Sequence, residues 1–383
     1  MDQHADQEGG SLLGENGQVM LPLEPLVPSA ELAKSQIPFP VALLALGAIR
    51  GLGIKGLRAL VREHGEQLGL VWDLPIEALG PELSRVKVPS AAKVTEEISR
   101  HHPRLLETAQ AKAEDLARQG VHVLDPSQLP PRLAALGDGP LWLFVEGEVR
   151  ALTEGPHIAV VGTRDATRDG VRATEAAVRT LAAYPITLVS GLANGIDATA
   201  HMAALRDGVR NIAFLGHGTD LVFPAETAET RARIVHAGGA VASEYMPGEH
   251  YRKAQFVQRN RLQAGLADLV VAAEGERAGG TAHTVRFAAA YRRPIVGFTW
   301  PGAGDLTSQV QAEPTGQLID IFSPSGRRTF DAMCRRLADS YGHPTSGLTL
   351  VERQLTREAQ LRALPPGDLK RLRQCIDALL SEQ

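Results

Sequence analysis

Between His157 and Phe298 short apolar runs alternate with stretches of helical periodicity, and this alternation limits the fold more than any other feature. Candidate strands are 157–161, 186–190, 211–215, 240–244, 268–273 and 294–298, with helical stretches at 170–183, 198–206, 227–237, 256–266 and 282–291. Continuous apolar strands separated by helices imply a buried, mostly parallel, doubly wound α/β sheet. Such sheets bind ligands beyond the carboxyl ends of their strands. Four glycine turns fall there: Gly162-Thr163-Arg164, Ser190 through Asp197, Gly216-His217-Gly218-Thr219-Asp220 and Gly279-Gly280-Thr281. A strand that ends in glycine and opens into a helix lets backbone N–H groups reach an anion with no Cβ in the way. Glycine serves any tight turn, so one such turn decides nothing. Four on one sheet edge, with arginines between them, imply a surface that follows phosphates.

At 383 residues the chain has room for two or three domains, each with its own core. No apolar run approaches a membrane span, and the start, Met1-Asp2-Gln3-His4-Ala5-Asp6, is polar and acidic, unlike a signal peptide. Two cysteines, Cys334 and Cys375, without metal-ligand spacing fit a reduced cytoplasmic protein. The net charge of −4 is unevenly placed. Residues 1–40 hold six acids against Lys34 alone, whereas residues 250–300 hold eight Lys/Arg against Asp268, Glu274 and Glu276. Phosphate affinity follows the local field, so the overall sign does not exclude a nucleic-acid partner.

Residues 1–36 lack apolar periodicity and read as a disordered acidic tail. Residues 37–120 read as a small helical domain. In it, apolar helical positions from Val41, the Arg50-Gly51-Leu52-Gly53 turn and a second helix from Ile54 make a helix-hairpin-helix or SAM-like unit. Either its hairpin amides touch phosphate, with Lys55 and Arg58 beside them, or its glycines only permit a tight turn in a packing module. A further helix is expected from Ser90 to Gln119. The proline-punctuated segment 121–150 ends in a strand-like run, Leu141 to Val145, and reads as a connection that docks on the next domain. A phosphate-binding domain is expected over 121–325. Beyond it, 326–383 reads as a helical segment, with patterning around Leu355–Leu364 and Leu369–Leu380.

The candidate anion clamp at the first strand is Gly162, Thr163 and Arg164, two amides and a planar fork sharing one phosphate. The second is Ser190, Gly191, Leu192, Ala193, Asn194 and Gly195, where the Ser190 hydroxyl and successive amides face an anion and Asp197 suits a helix N-cap. His201, four residues on, is expected to partner Asp197. Phe256, Arg259, Asn260 and Arg261 join an aromatic ring to two cations that do not share a helix face. One arginine is then placed to meet DNA while the other locks the fold, and Phe256 is either a base-stacking ring or core. Gly279, Gly280 and Thr281 open a helix and form the last clamp, with Thr284 as an extra donor. No phosphate-loop Gly-X-X-X-X-Gly-Lys, complete Gly-X-Gly-X-X-Gly or metal-spaced cluster is present, so neither catalytic nor metal residues nor a cofactor are expected.

In this order the motifs resemble the DNA-processing protein A (DprA/Smf) family. The matching blocks are Gly162-Thr163-Arg164, Ser190 through His201, Gly216 through Pro224, Ser243-Glu244, Arg259 through Gly265 and Gly279 through Thr284. Against the family pattern, Phe223 stands for tyrosine, Val257 and Gln258 for proline and a basic residue, and Gly279 and Thr281 for two serines. The resemblance implies an extended Rossmann-like fold that binds single-stranded DNA without catalysis. It also implies a homodimer that delivers the RecA recombinase to incoming strands in natural transformation. The winged helix of many members is expected to be reduced or absent. Two other functions share the superfold: sensing of signalling nucleotides, and nucleotide phosphoribohydrolysis. The second is opposed by Ala278 and Arg286, which fall where that motif has proline and the catalytic glutamate.

Overall fold

The computed structural model describes residues 34–342. The helical domain comprises α1 (Phe39–Gly47), α2 (Ile54–His64), the one-turn α3 (Leu70–Asp73), α4 (Ile76–Arg85) and the long α5 (Ala91–Arg118). Helix α2 shows how the pattern works: Leu57, Leu60 and Val61 recur at helical spacing and are all buried, while Lys55 and Arg62 face solvent. Gly51 turns the chain between α1 and α2 at φ +93°, a conformation that glycine adopts without a Cβ penalty. Arg58, expected beside a phosphate in one reading of this hairpin, is otherwise engaged. It donates to the Gly139 carbonyl at 2.7 Å and lies 3.7 Å from Glu244, tying the helices to the sheet. Of the residues read as the 1–36 tail, 34–36 are described and join the helical domain. Ser35 accepts a hydrogen bond from the Ile37 amide, and Ile37 packs on the helical core.

The connection is more ordered than its prolines suggest: β1 (Val121–Leu124), a single turn α6 (Pro131–Ala134) and β2 (Leu143–Gly147). The strands form an antiparallel pair at one edge of the sheet, and β2 then pairs antiparallel with β6 (Ala240–Ser243). Val121, Trp142 and Phe144 pack into the helical core, so this pair is the mount for the N-terminal helices.

The remaining elements follow the expected alternation: β3 (His157–Gly162), α7 (Arg168–Leu181), β4 (Thr187–Ser190), α8 (Ile196–Asp207), β5 (Arg210–Phe214) and α9 (Ala228–His236). After β6 come α10 (Lys253–Leu266), β7 (Leu269–Glu274), α11 (Gly280–Ala290), β8 (Ile295–Phe298), α12 (Leu306–Ala312), β9 (Gly316–Ile319) and α13 (Pro324–Ser340). The sheet order is β1-β2-β6-β5-β4-β3-β7-β8-β9, with β3 through β9 parallel to one another. Alternate residues of each strand feed opposite faces. Ala159, Val161, Val270 and Ala272 pack with α10 and α11 residues such as Leu262 and Val285. Ile158, Val160, Leu269 and Val271 pack with Ala177 of α7, Ala200 of α8 and Phe330 of α13. The result is a Rossmann-like, helix–sheet–helix sandwich.

Chain order climbs from β3 through β6 on one side, then returns to β7 on the other side of β3. That reversal makes the crevice beyond β3 and β7 the topological switch point, the usual ligand position of such sheets. The expected domain boundary at 325/326 falls inside the first turn of α13, whose Phe330 and Cys334 are fully buried under Phe298 and Ile319. The acidic residues before Lys34, the helical patterning after 345 and the expectation for the winged helix lie outside the described residues.

Candidate nucleic-acid interface

A cavity of about 560 Å³ opens at the switch point, bounded by the ends of β3 and β7, the amino-terminal half of α10 and the first turn of α11. Gly162, Thr163, Arg164, Ala193, Phe256, Arg259, Asn260, Gly279, Gly280 and Thr281 all line it. A smaller adjoining recess of about 190 Å³ is bounded by Gly191, Leu192, Ala193 and Asn194, with Arg164, Phe256 and Arg259 shared between the two. Of the expected residues, Ser190, Gly195 and Arg261 line neither.

Helix α11 supplies the donors. It starts after Gly279 with no side-chain cap, so its first-turn amides are left to an outside partner. A Cβ on Gly280 would meet no atom within 4 Å, so open space lies over this helix end. Asn260 donates to the Gly280 carbonyl at 3.3 Å and positions the turn. Arg164 and Lys253 are exposed on the cavity rim. The Arg164 guanidinium carbon sits 5.2 Å from the Phe256 ring centre, a cation–π contact that orients it over the opening. Glu276 is the exposed carboxylate on the wall; its hydrogen bond with Asp305 holds it above the usual carboxylate range.

Two aromatic neighbours of Phe256 were not anticipated as site residues. Phe223 stacks on Tyr251 with ring centres 3.6 Å apart, and each lies 5.8 Å from Phe256. Tyr251 is 45% exposed, so one broad π-face remains at the mouth. Phe223 was visible in its motif only as a replacement for tyrosine. Tyr251 and Lys253 carried no local signal, because the loop from β6 to α10 brings them to the cavity.

The second clamp is corrected. The Ser190 hydroxyl is fully buried and donates to the Val160 carbonyl at 2.7 Å, so it faces the sheet and not a ligand. Asp197 is not the N-cap: α8 starts at Ile196 after Gly195, and the Asp197 carboxylate is buried among Ser190 and the amides of Gly191 and Ala193. Gly195 has φ +77°, and a Cβ there would overlap the Thr163 carbonyl. His201 does not pair with Asp197. Its Nδ1 lies 2.9 Å from the Asn211 side-chain oxygen and its Nε2 accepts from the Leu192 amide at 3.2 Å. Burial lowers its pKa to about 4, which keeps the ring neutral and able to accept at Nε2.

The arginine pair is corrected too. Arg261 is buried, binds Glu244 at 2.6 Å and donates to the carbonyl of Asp138, so it is the arginine that locks α10 to the sheet. Arg259 lines the cavity yet is only 3% exposed. Its guanidinium lies 4.0 Å from Asp197, and its Nε has no partner. With the Gln263 amide turned so that its oxygen faces the donors, it accepts from Arg259 and from the Gly191 amide at 3.1 Å. Burial lowers the Arg259 pKa more than Asp197 raises it, and burial raises that of Asp197. A Cβ on Gly191 would overlap the Arg259 guanidinium, so this glycine makes room for the arginine.

The profile of the DNA recombination-mediator protein A family matches residues 121–320, more than half of the chain. The chain belongs to that family. DNA processing protein DprA of Streptococcus pneumoniae is 37% identical over 174 residues, 45% of this chain and 60% of that one. Protein Smf of Escherichia coli is 38% identical over 178 residues, 46% of this chain and 47% of that one. The chain thus spans about half the length of these curated relatives. The solved DNA processing protein A of Helicobacter pylori, described for its single-stranded DNA binding mode, superposes with a TM-score of 0.51 at 24% identity. That match covers 57% of this chain and 97% of that one. The S. pneumoniae DprA structure gives a TM-score of 0.53 at 24% identity over 76% of this chain and 91% of that one. These likenesses support the fold. Among the described residues no helix is long and apolar enough to cross a membrane, and no group of three or more His, Cys, Asp or Glu is placed to hold a metal.

Proposed function

We propose that the switch-point cavity binds single-stranded DNA. The observation that carries this reading is the junction, in one open cleft, of an uncapped helix end, two rim cations and an aromatic cluster. A phosphate over Gly280 takes the first-turn amides of α11, and Arg164 and Lys253 neutralise its neighbours. Bases stack on the free face of Tyr251 beside Phe256, which suits any sequence because every base has a π-face. The proposed role, as the family resemblance implies, is binding without turnover. The single-strand binding mode described for the H. pylori relative supports the same reading. On the family resemblance we further propose a cytoplasmic homodimer that protects incoming strands and hands them to the RecA recombinase during transformation and recombination.

Titration with oligo-dT at several salt concentrations tests the binding. Each neutralised phosphate contributes a log–log slope of about −0.7, so two rim cations give about −1.4 or steeper. A flat salt response, or small nucleotides that bind more tightly than the oligonucleotide, would overturn the reading.

A further inference from the structure

A second groove, of about 560 Å³, lies where the helical domain meets the sheet. Its walls are the end of α1, one side of α5 and the loop after β6, represented by Met246 and Pro247. Leu44, Ala48, Leu105 and Ala109 give it an apolar floor. Its rim is cationic. Arg50 and Arg104 are exposed and have no acidic partner among the described residues, and Lys112 is bound to Asp220 at 3.3 Å. Glu97 is the carboxylate on the wall, 3.9 Å from His101.

The loop after β6 is also a wall of the switch-point cavity. Pro247 faces the groove and Tyr251 faces the cavity, so at most about 14 Å of chain separates the two openings. The loop is held in place: Gly248 donates to Asp220 at 2.7 Å, and Glu249 accepts from Gln255 at 2.6 Å. Two cationic openings therefore share one fixed ridge.

We propose that this groove holds the continuation of the same single strand, with sugars and bases on the apolar floor and phosphates on Arg50 and Arg104. The proposal rests on the single-strand reading of the switch-point cavity. It assigns the helical domain a direct share in DNA binding through Arg50, at the start of the glycine hairpin, and Arg104, on the side of α5. The charge favours a polyanion, and continuity with the cleft favours a strand that is already bound there.

The test measures binding of oligo-dT of about 4 and about 16 nucleotides, the limits of common single-strand site sizes, to the wild type, to R50Q/R104Q and to R164A. The long oligonucleotide should lose about tenfold in affinity to R50Q/R104Q. Its log–log salt slope should become shallower by about 1.4, two phosphates at 0.7 each. The short one should bind R50Q/R104Q as it binds the wild type, and both lengths should weaken on R164A. Unchanged binding of the long oligonucleotide to R50Q/R104Q overturns the proposal and leaves the groove to another occupant, such as an acidic amphipathic protein segment. An equal loss at both lengths overturns it as well, because that is a field effect and not a contact. Failure of the wild type to bind either length would instead remove the single-strand reading itself.

Discussion

Arg164 and Arg259 reach the same cleft from two sides, and both match arginines of the family pattern. Their surroundings differ. Arg164 follows the end of β3 and projects into solvent, braced by the face of Phe256. Arg259 comes from the middle of α10 and is enclosed by Gly191, Gln263 and Asp197. A cation in water loses little by remaining unpaired and gains from a phosphate, whereas a cation in the interior needs its partners for the fold to form. The same residue type in two family motifs therefore divides into a solvent-facing arginine and one that shapes the cleft. Gly280 and Gly191 repeat the contrast: one leaves open space over a helix end, the other leaves space for a side chain.

The largest effect should come from Arg259→Ala. It strands the Asp197 carboxylate in a buried site and should cost about 3–5 kcal/mol of stability, the usual range for breaking a buried pair. The double change Arg259→Met with Asp197→Asn should recover most of the urea midpoint, because no buried charge remains. A single variant of wild-type stability that has lost its salt slope would reverse the division between the two arginines.

Acidification probes the buried side of the cleft through His201. Its folded pKa of about 4 lies below the usual 6.5, so between those values the unfolded chain binds more protons. Stability should therefore be full above pH 6.5 and decline on acidification toward pH 4, by about 3 kcal/mol for a shift of this size. His201→Gln should flatten that part of the pH–stability curve. An unaltered curve would mean that the ring is not buried neutral against Leu192.

On the exposed side, Arg164→Ala should lose about 1–3 kcal/mol of single-strand affinity, the range for a charged hydrogen bond. Its salt slope should fall by about 0.7 while its melting temperature holds. Arg164→Lys should restore the slope better than the affinity, since lysine keeps the charge and loses the planar fork. A lower melting temperature with an unchanged slope would place Arg164 with the fold.

The smallest effect is expected from removing residues 1–33. They carry the six acids of the amino-terminal stretch, so their removal should leave melting unchanged and tighten single-strand binding by less than about 1 kcal/mol. A large loss of affinity after truncation would give that segment a direct role.

The central parallel strands were readable because each is buried on both faces, so an apolar run marks it without reference to any partner. Strands β1 and β9 carry no such apolar run. Their burial is partial, and an edge strand need not be apolar throughout. The run from Leu141 to Val145 was recognised as strand-like, but its antiparallel place beside β6 depends on a pairing between residues about a hundred positions apart. Helix α13 reads as a separate segment because Phe330 and Cys334 show their role against Phe298, far from them in sequence. In the cleft, the glycine turns and Arg164 were legible, since a strand end, a turn and a helix start are local events.

The sequence alone thus determined the alternating sheet, the edge on which an anion would sit and the motifs that carry the family. Which of those motif residues meet solvent was decided by the tertiary structure. Helix α10 is covered on more than one side: Arg259 and Arg261, about 200° apart on its 3.6-residue period, are both buried, one against Gly191 and Asp197 and the other against Glu244 and Asp138, and no linear motif distinguishes them from Asn260. The same packing draws Tyr251 and Phe223, from two separate loops, into one stack at the mouth. Periodicity is written along the chain, but exposure depends on what packs above each residue, and that requires the whole fold.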